Sequence, residues 1–155
     1  MRCPTCGSAR WKQGTTPHAE VVDGRKFKAD LPAKICGKCG EAIVALTELD
    51  RFEVEVALAL AHAGAHSGPA IRTMRKAIGL SATALAELLD VSLETISRWE
   101  HGSRAAPRPA VATLGAMVID HALGSTTTTD RLHALREGPR LARVVHLELR
   151  AAARG

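Results

Sequence analysis

Leu80-Ser81-Ala82-Thr83-Ala84-Leu85-Ala86-Glu87-Leu88-Leu89-Asp90-Val91-Ser92-Leu93-Glu94-Thr95-Ile96-Ser97-Arg98-Trp99-Glu100-His101-Gly102 decides how most of this chain folds. It reads as two short helices, 81–89 and 92–101, joined by a tight turn. Ser81 caps the first, with Leu80 and Leu85 at the staple positions around that cap. Ser92 caps the second. Leu85, Leu89, Val91 and Ile96 fall where two crossing helices share a core. A pair built this way leaves the N-terminal half of its second helix free to enter a major groove.

The stretch closely resembles the helix-turn-helix of the phage-repressor (XRE/Cro) family, with its run Leu-Ala-x-x-Leu-x-Val-Ser-x-x-Thr-Ile-Ser-x-Trp-Glu-x-Gly. The likeness extends from Arg72 to Arg108. It implies a structural ion pair between Arg75 and Glu100, which hold the family's Arg and Glu positions. Two residues depart from the pattern. Ala82 replaces the usual Gln at the start of the first helix, which removes a polar contact, and Asp90 stands where Gly is frequent. Asp accepts a left-handed backbone better than most residues, at a cost of about 1 kcal/mol.

On the second helix, Leu93, Glu94, Ser97 and Arg98 face away from the core and are the candidate base readers. Arg98 suits guanine O6 and N7, Glu94 suits cytosine N4, and Leu93 suits a thymine methyl. The plainer alternative for Glu94 and Arg98 is a surface i,i+4 pair worth a few tenths of a kcal/mol. Thr83, Thr95, Arg104 and Arg108 are the candidate phosphate contacts, and Trp99 is read as packing.

Upstream, every cysteine lies in one of two matched knuckles, Cys3-Pro4-Thr5-Cys6-Gly7 and Cys36-Gly37-Lys38-Cys39-Gly40. Two C-x-x-C pairs with none left over predict one four-thiolate metal site, Cys3, Cys6, Cys36 and Cys39. The expected cofactor is one structural Zn²⁺ per chain. Iron is the rival, because rubredoxin is similar in both knuckles and would make the protein an electron carrier. Rubredoxins are acidic and aromatic around the metal, whereas residues 1–40 carry eight Lys/Arg against Glu20, Asp23 and Asp30, and the chain has no Tyr. Disulfides do not suit a chain that reads as cytoplasmic, with no apolar leader. Between the knuckles, Val21-Val22-Asp23-Gly24-Arg25-Lys26-Phe27 predicts a hairpin with strands near 18–22 and 25–30, plugged by Trp11 and Phe27.

The fold class expected is mainly α with a small β zinc-binding unit. An N-terminal four-cysteine domain (1–64) ends in a helix over 47–63, capped by Thr47. A linker at 65–69 precedes a helix-turn-helix bundle (70–124), with helices near 70–78 and 109–123 flanking the pair. Residues 125–155 are a C-terminal extension. Its threonines 126–129 read as a soft linker, Asp130–Glu137 as a short helix, and 141–150 fit strand or helix equally.

The net charge of +5 and pI near 9.4 permit nucleic-acid binding. Residues 41–64 run the other way, with five acids against Arg51. That stretch reads as a solvated acidic face, or as a surface for a basic protein. No apolar run reaches the roughly twenty residues that span a bilayer. The seven histidines show no spacing suited to an open metal site or a triad, which argues against an enzyme.

Together the two motifs resemble the MqsA-type antitoxins, which join a YgiT-type zinc finger to an XRE helix-turn-helix. The likeness covers residues 1–124 and includes Gly24-Arg25-Lys26 in the inserted sheet. It implies a homodimer on a palindromic operator and a repressor of its own operon. It also implies a ribonuclease toxin held by the zinc domain, and a metal without a catalytic role. The family's operator-reading Asn is Glu94 in this chain, so the operator sequence does not carry over. A free-standing regulator without a toxin is the alternative reading.

Overall fold

The computed structural model of the protein describes residues 1–138 and 142–148. In chain order the elements are β1 (Trp11–Val22), β2 (Arg25–Cys36), β3 (Ala42–Val44), α1 (Leu46–His62), α2 (Gly68–Ala77), α3 (Ala82–Leu88), α4 (Leu93–Glu100), α5 (Arg108–Ala122) and α6 (Thr127–Glu137). This is a mainly α protein with a small antiparallel sheet at its N-terminal end, ordered β1-β2-β3.

The hairpin turns at Asp23 and Gly24, both with positive φ, as a two-residue loop matched to the strand twist requires. Its strands are twelve residues each, longer than the expected 18–22 and 25–30. Trp11 pairs with Cys36 and Val22 with Arg25, so the ladder runs the whole distance from turn to knuckles. Pro32 does not end β2, because β3 pairs only with Ala33–Ile35 and asks for no Pro32 N–H. Alternation sends Leu31 and Ala33 inward and Lys26, Lys28 and Lys34 to solvent. Phe27 and Trp11 are half-buried, and the Trp11 indole N–H donates to the Met1 carbonyl.

In α1 the apolar spacing buries Phe52, Val56, Ala57 and Leu60. Thr47 is not its cap: Ala45 is, with no side-chain hydrogen bond, and Thr47 lies in the first turn. Glu48 complements the helix dipole there. α1 packs on α2 and α5 and also touches β2. Val22 and Leu31 of the hairpin join Phe52, Val56, Ile71, Met74, Leu85, Ile96 and Val118 in one continuous core. The His18 ring meets Phe52 edge-on at 4.8 Å.

The stretch 65–69, read from sequence as a linker, is packed. Ala65 is buried, Ser67 caps the Ala70 N–H, and α2 already begins at Gly68 with Pro69 in its first turn. Gly68 sits against the backbone carbonyls of Trp99 and Glu100, where a Cβ would collide. Gly68→Ala is therefore expected to destabilise the fold by about 1–3 kcal/mol, measured by urea unfolding. A loss below a few tenths would show that the joint has slack.

α6 starts three residues before the helix expected at Asp130. The Asp120 carboxylate on α5 accepts the Thr128 N–H at 2.6 Å, and Thr126 Oγ1 donates to Asp130 Oδ2. These acceptors convert the threonine run from linker to helix start. The Thr128 amide and hydroxyl, with Arg131 nearby, hold the Asp120 carboxyl below its ordinary pKa. Residues 142–148 form neither helix nor strand; Leu141, Leu149 and Arg150, also part of the expected terminal segment, lie outside the described residues. Among the described residues, no helix is long and apolar enough to cross a membrane.

Candidate metal centre and nucleic-acid interface

The long ladder carries the two knuckles to one end of the sheet. In each, the last glycine donates back to the first cysteine's carbonyl: Gly7 to Cys3 at 2.8 Å and Gly40 to Cys36 at 3.0 Å. Gly37 N–H to the Arg10 carbonyl ties the second knuckle to the residue before β1. The four sulfurs of Cys3, Cys6, Cys36 and Cys39 lie within 4.8 Å of one another. The pairs Cys3–Cys39 and Cys6–Cys36 are each 3.6 Å apart. A tetrahedron of sulfurs about 2.3 Å from a central ion has edges of about 3.8 Å. The donor set therefore fits a metal ion with a closed, four-thiolate shell, of the kind that serves structure.

The backbone prepares the charge of this site. N–H groups of Cys39 and Lys38 aimed at the Cys36 sulfur lower its thiol to about 6. At Cys39 the Glu41 N–H pulls downward, but Cys6, desolvation, Cys3 and Cys36 outweigh it and push that thiol up to about 12. Four sulfurs this close do not all shed their protons without a cation among them.

In the helical bundle, Ser81 Oγ accepts the Ala84 N–H and Ser92 Oγ accepts the Thr95 N–H, so both short helices are capped. Asp90 takes the left-handed conformation between them. Leu85 and Ile96 are buried at the crossing, and Trp99 is packed in the core. The Trp99 indole N–H has no partner among the described residues. Arg75 Nε and Nη2 donate to the two Glu100 carboxylate oxygens at 2.5 and 3.0 Å, and Nη1 donates to the Leu80 carbonyl at 2.7 Å. This fork pins α4 to α2 and to the start of the helix pair.

Leu93, Glu94, Ser97 and Arg98 are all exposed along one side of α4, with Leu93 at 51%. Arg98 Nη2 donates to Glu94 Oε1 at 2.6 Å. The Ser97 hydroxyl lies 3.4 Å from His101 Nδ1. Of the residues read as phosphate contacts, Thr83, Arg104 and Arg108 are exposed, on α3, after α4 and at the start of α5 respectively. Thr95 is half-buried, and its hydroxyl is shared with Ser92 at 2.9 Å. Two structural residues escaped the sequence reading. Gly68 was hidden because Gly-Pro reads as a hinge. Asp120 was hidden because its partner lies eight residues on, although a carboxylate before a threonine run is a signal for capping.

Set beside known proteins, the chain matches the model of one family, the antitoxin component of bacterial toxin-antitoxin system, MqsA, over residues 1–122. A search of the curated proteins finds no significant match. The matched span takes in both knuckles, the hairpin, the capped helix pair and α5, and it ends before α6. With that span and the four-cysteine cluster together, this chain belongs to the MqsA antitoxin family.

Proposed function

We propose that this antitoxin is a sequence-specific DNA-binding repressor of its own operon, working as a homodimer on a palindromic operator. The observation that carries the reading is the exposed row Leu93, Glu94, Ser97 and Arg98 on a short helix held by a capping serine and a buried ion pair. Such a helix presents side chains to a groove without losing order on binding. Arg98 leaves Glu94 for a guanine; their surface pairing costs little to break, because both are largely exposed. Thr83, Thr95, Arg104 and Arg108 hold phosphates around it, with Thr95 relaying through its shared hydroxyl. A two-fold dimer then prefers half-sites about one helical turn apart.

The metal is a structural Zn²⁺ on Cys3, Cys6, Cys36 and Cys39. The four-thiolate set suits it and a reducing cytoplasm. The toxin is a small basic ribonuclease bound through the zinc unit. Asp50, Glu53 and Glu55, exposed on α1, supply charge complementary to it.

Fluorescence anisotropy with duplex DNA from immediately upstream of the reading frame tests the DNA reading. Arg98→Ala is expected to cost about 1–3 kcal/mol of specific binding and to relax discrimination at one base pair, with folding stability unchanged. Unaltered operator affinity in that variant would sink α4 as the reader. Metal analysis finding iron at one per chain would replace zinc, and the absence of any adjacent gene for a small basic protein would remove the toxin.

A further inference from the structure

A cleft of about 610 Å³ opens between the C-terminal end of α1, the turn into α2, and α5. Small-ligand sites typically measure about 300–1,000 Å³. The floor of this cleft is apolar: Ala65, Met74 and Gly115 are buried, and Val111 and Ile119 are half-buried. His62, His66 and Arg108 stand exposed among its walls. The His66 Nδ1 lies 3.2 Å from the Gly64 carbonyl. A carbonyl only accepts, so Nδ1 bears the hydrogen and Nε2 is the ring atom left for a ligand.

The charge of the walls has one sign. Among the described residues that line this cleft, none is Asp or Glu. Two other clefts on α1 differ in this respect. One, against β2, sets Asp30, Glu48 and Glu55 beside Arg51. The other, against the ends of α2 and α5, sets Asp50, Glu53 and Glu55 there. A cationic rim by itself would suit a phosphate, but a phosphate makes no use of an apolar floor. The two together suit a molecule with an apolar body and an anionic head. An arginine guanidinium takes a carboxylate through two parallel N–H bonds.

We propose that this cleft binds a small amphipathic carboxylate, with its apolar body over Met74 and Val111 and its head on Arg108. Arg108 is also one of the phosphate contacts in the DNA reading above, so a carboxylate held there competes with the operator for it. The competition rests on that reading, whereas the site itself does not. A second copy of the chain is the competing occupant of the cleft, and the test separates the two.

Octanoate serves as the probe, with 1-octanol and octylammonium as the uncharged and cationic controls of equal length. Amide chemical shifts of the metal-bound full chain follow each titration. Octanoate is expected to shift Ala65, Val111 and Gly115 saturably, about tenfold more tightly than either control. R108Q should weaken it by about the same factor. A112F, at an exposed wall position, should abolish it with the fold intact. At saturating octanoate, anisotropy should report a several-fold loss of operator affinity in the wild type and no response in A112F. Equal binding of octanoate and octanol, or full octanoate binding by A112F, overturns the site. Binding at the cleft with operator affinity unchanged overturns the competition. A dimeric wild type that shows no octanoate shifts, and whose A112F variant sediments as a monomer, assigns the cleft to contact between copies and also overturns the site. Failure of the wild-type chain to bind its upstream duplex removes the DNA reading alone, and the shift titrations still decide the site.

Discussion

Removing the metal by chelation, or replacing Cys36 with Ser, is expected to unfold the three-stranded sheet. The sheet and its knuckles, residues 1–44, offer only Val22, Leu31 and Ala33 as buried apolar residues besides Cys3 and Cys36. So short a segment does not hold a fold on such a core. Structural zinc contributes about 10–16 kcal/mol in finger peptides, far more than this hairpin recovers from burial. Hydrogen exchange read by mass spectrometry should show amides of β1, β2 and β3 losing protection when metal leaves. Those of α2, α4 and α5 should stay protected, because Ile71, Met74, Ile96, Leu114 and Val118 pack without any cysteine. The loss does not stop at the sheet. Val22 and Leu31 share one core with Phe52, so the N-terminal half of α1 is expected to exchange faster and the helical bundle to melt a few degrees lower. A hairpin that keeps its protection after metal analysis shows none bound would refute the clasp.

Glu100→Ala is expected to cost about 3–5 kcal/mol of stability. Arg75 is only 8% exposed, and this change leaves its guanidinium with the Leu80 carbonyl as its only partner among the described residues. An unpaired buried charge is what makes the change expensive; the pair itself contributes little over an apolar substitute. The double variant R75M/E100L should accordingly recover most of the loss. Urea unfolding of the three chains, with the m-value checked for constancy, measures both effects. A single-variant loss under about 1 kcal/mol, or a double variant no better than the single, would show that the pair does not hold α4 to α2. The same joint contains Gly68, so G68A and E100A should combine non-additively, as neighbours do.

Much of the candidate site was legible before folding. The two knuckles point to a shared ion because thiol pairs at that spacing have few other uses in a chain with no fifth cysteine. Ser81 and Ser92 mark helix starts by local chemistry alone, and both accept the amide three residues on. The resemblance to the repressor family marked Asp90 as a position where Gly is frequent, and its φ is 52°. Other features were hidden because their cause is not local. The strand expected near 25–30 runs on through Pro32, which is tolerated because β3 stops short of it. The threonines after Gly124 looked like a linker, and Asp120 on another helix, accepting the Thr128 N–H, turns them into the first turn of α6. Thr47 looked like a cap by residue type, yet α1 begins one residue before it.

The sequence by itself determined the elements whose energy is short-range: capped helices, a two-residue turn, and thiols in chelating pairs. Each depends on groups a few residues apart, so its pattern survives in one dimension. Tertiary structure alone decided that the hairpin lies on α1, so that metal unit and helices share a core. It alone decided that Gly68 must be bare to meet the end of α4, and that α6 ends beside the corner between α3 and α4. Those outcomes arise from packing between surfaces distant in the chain, where complementarity of shape and the satisfaction of buried polar groups select among arrangements that local pattern leaves equal.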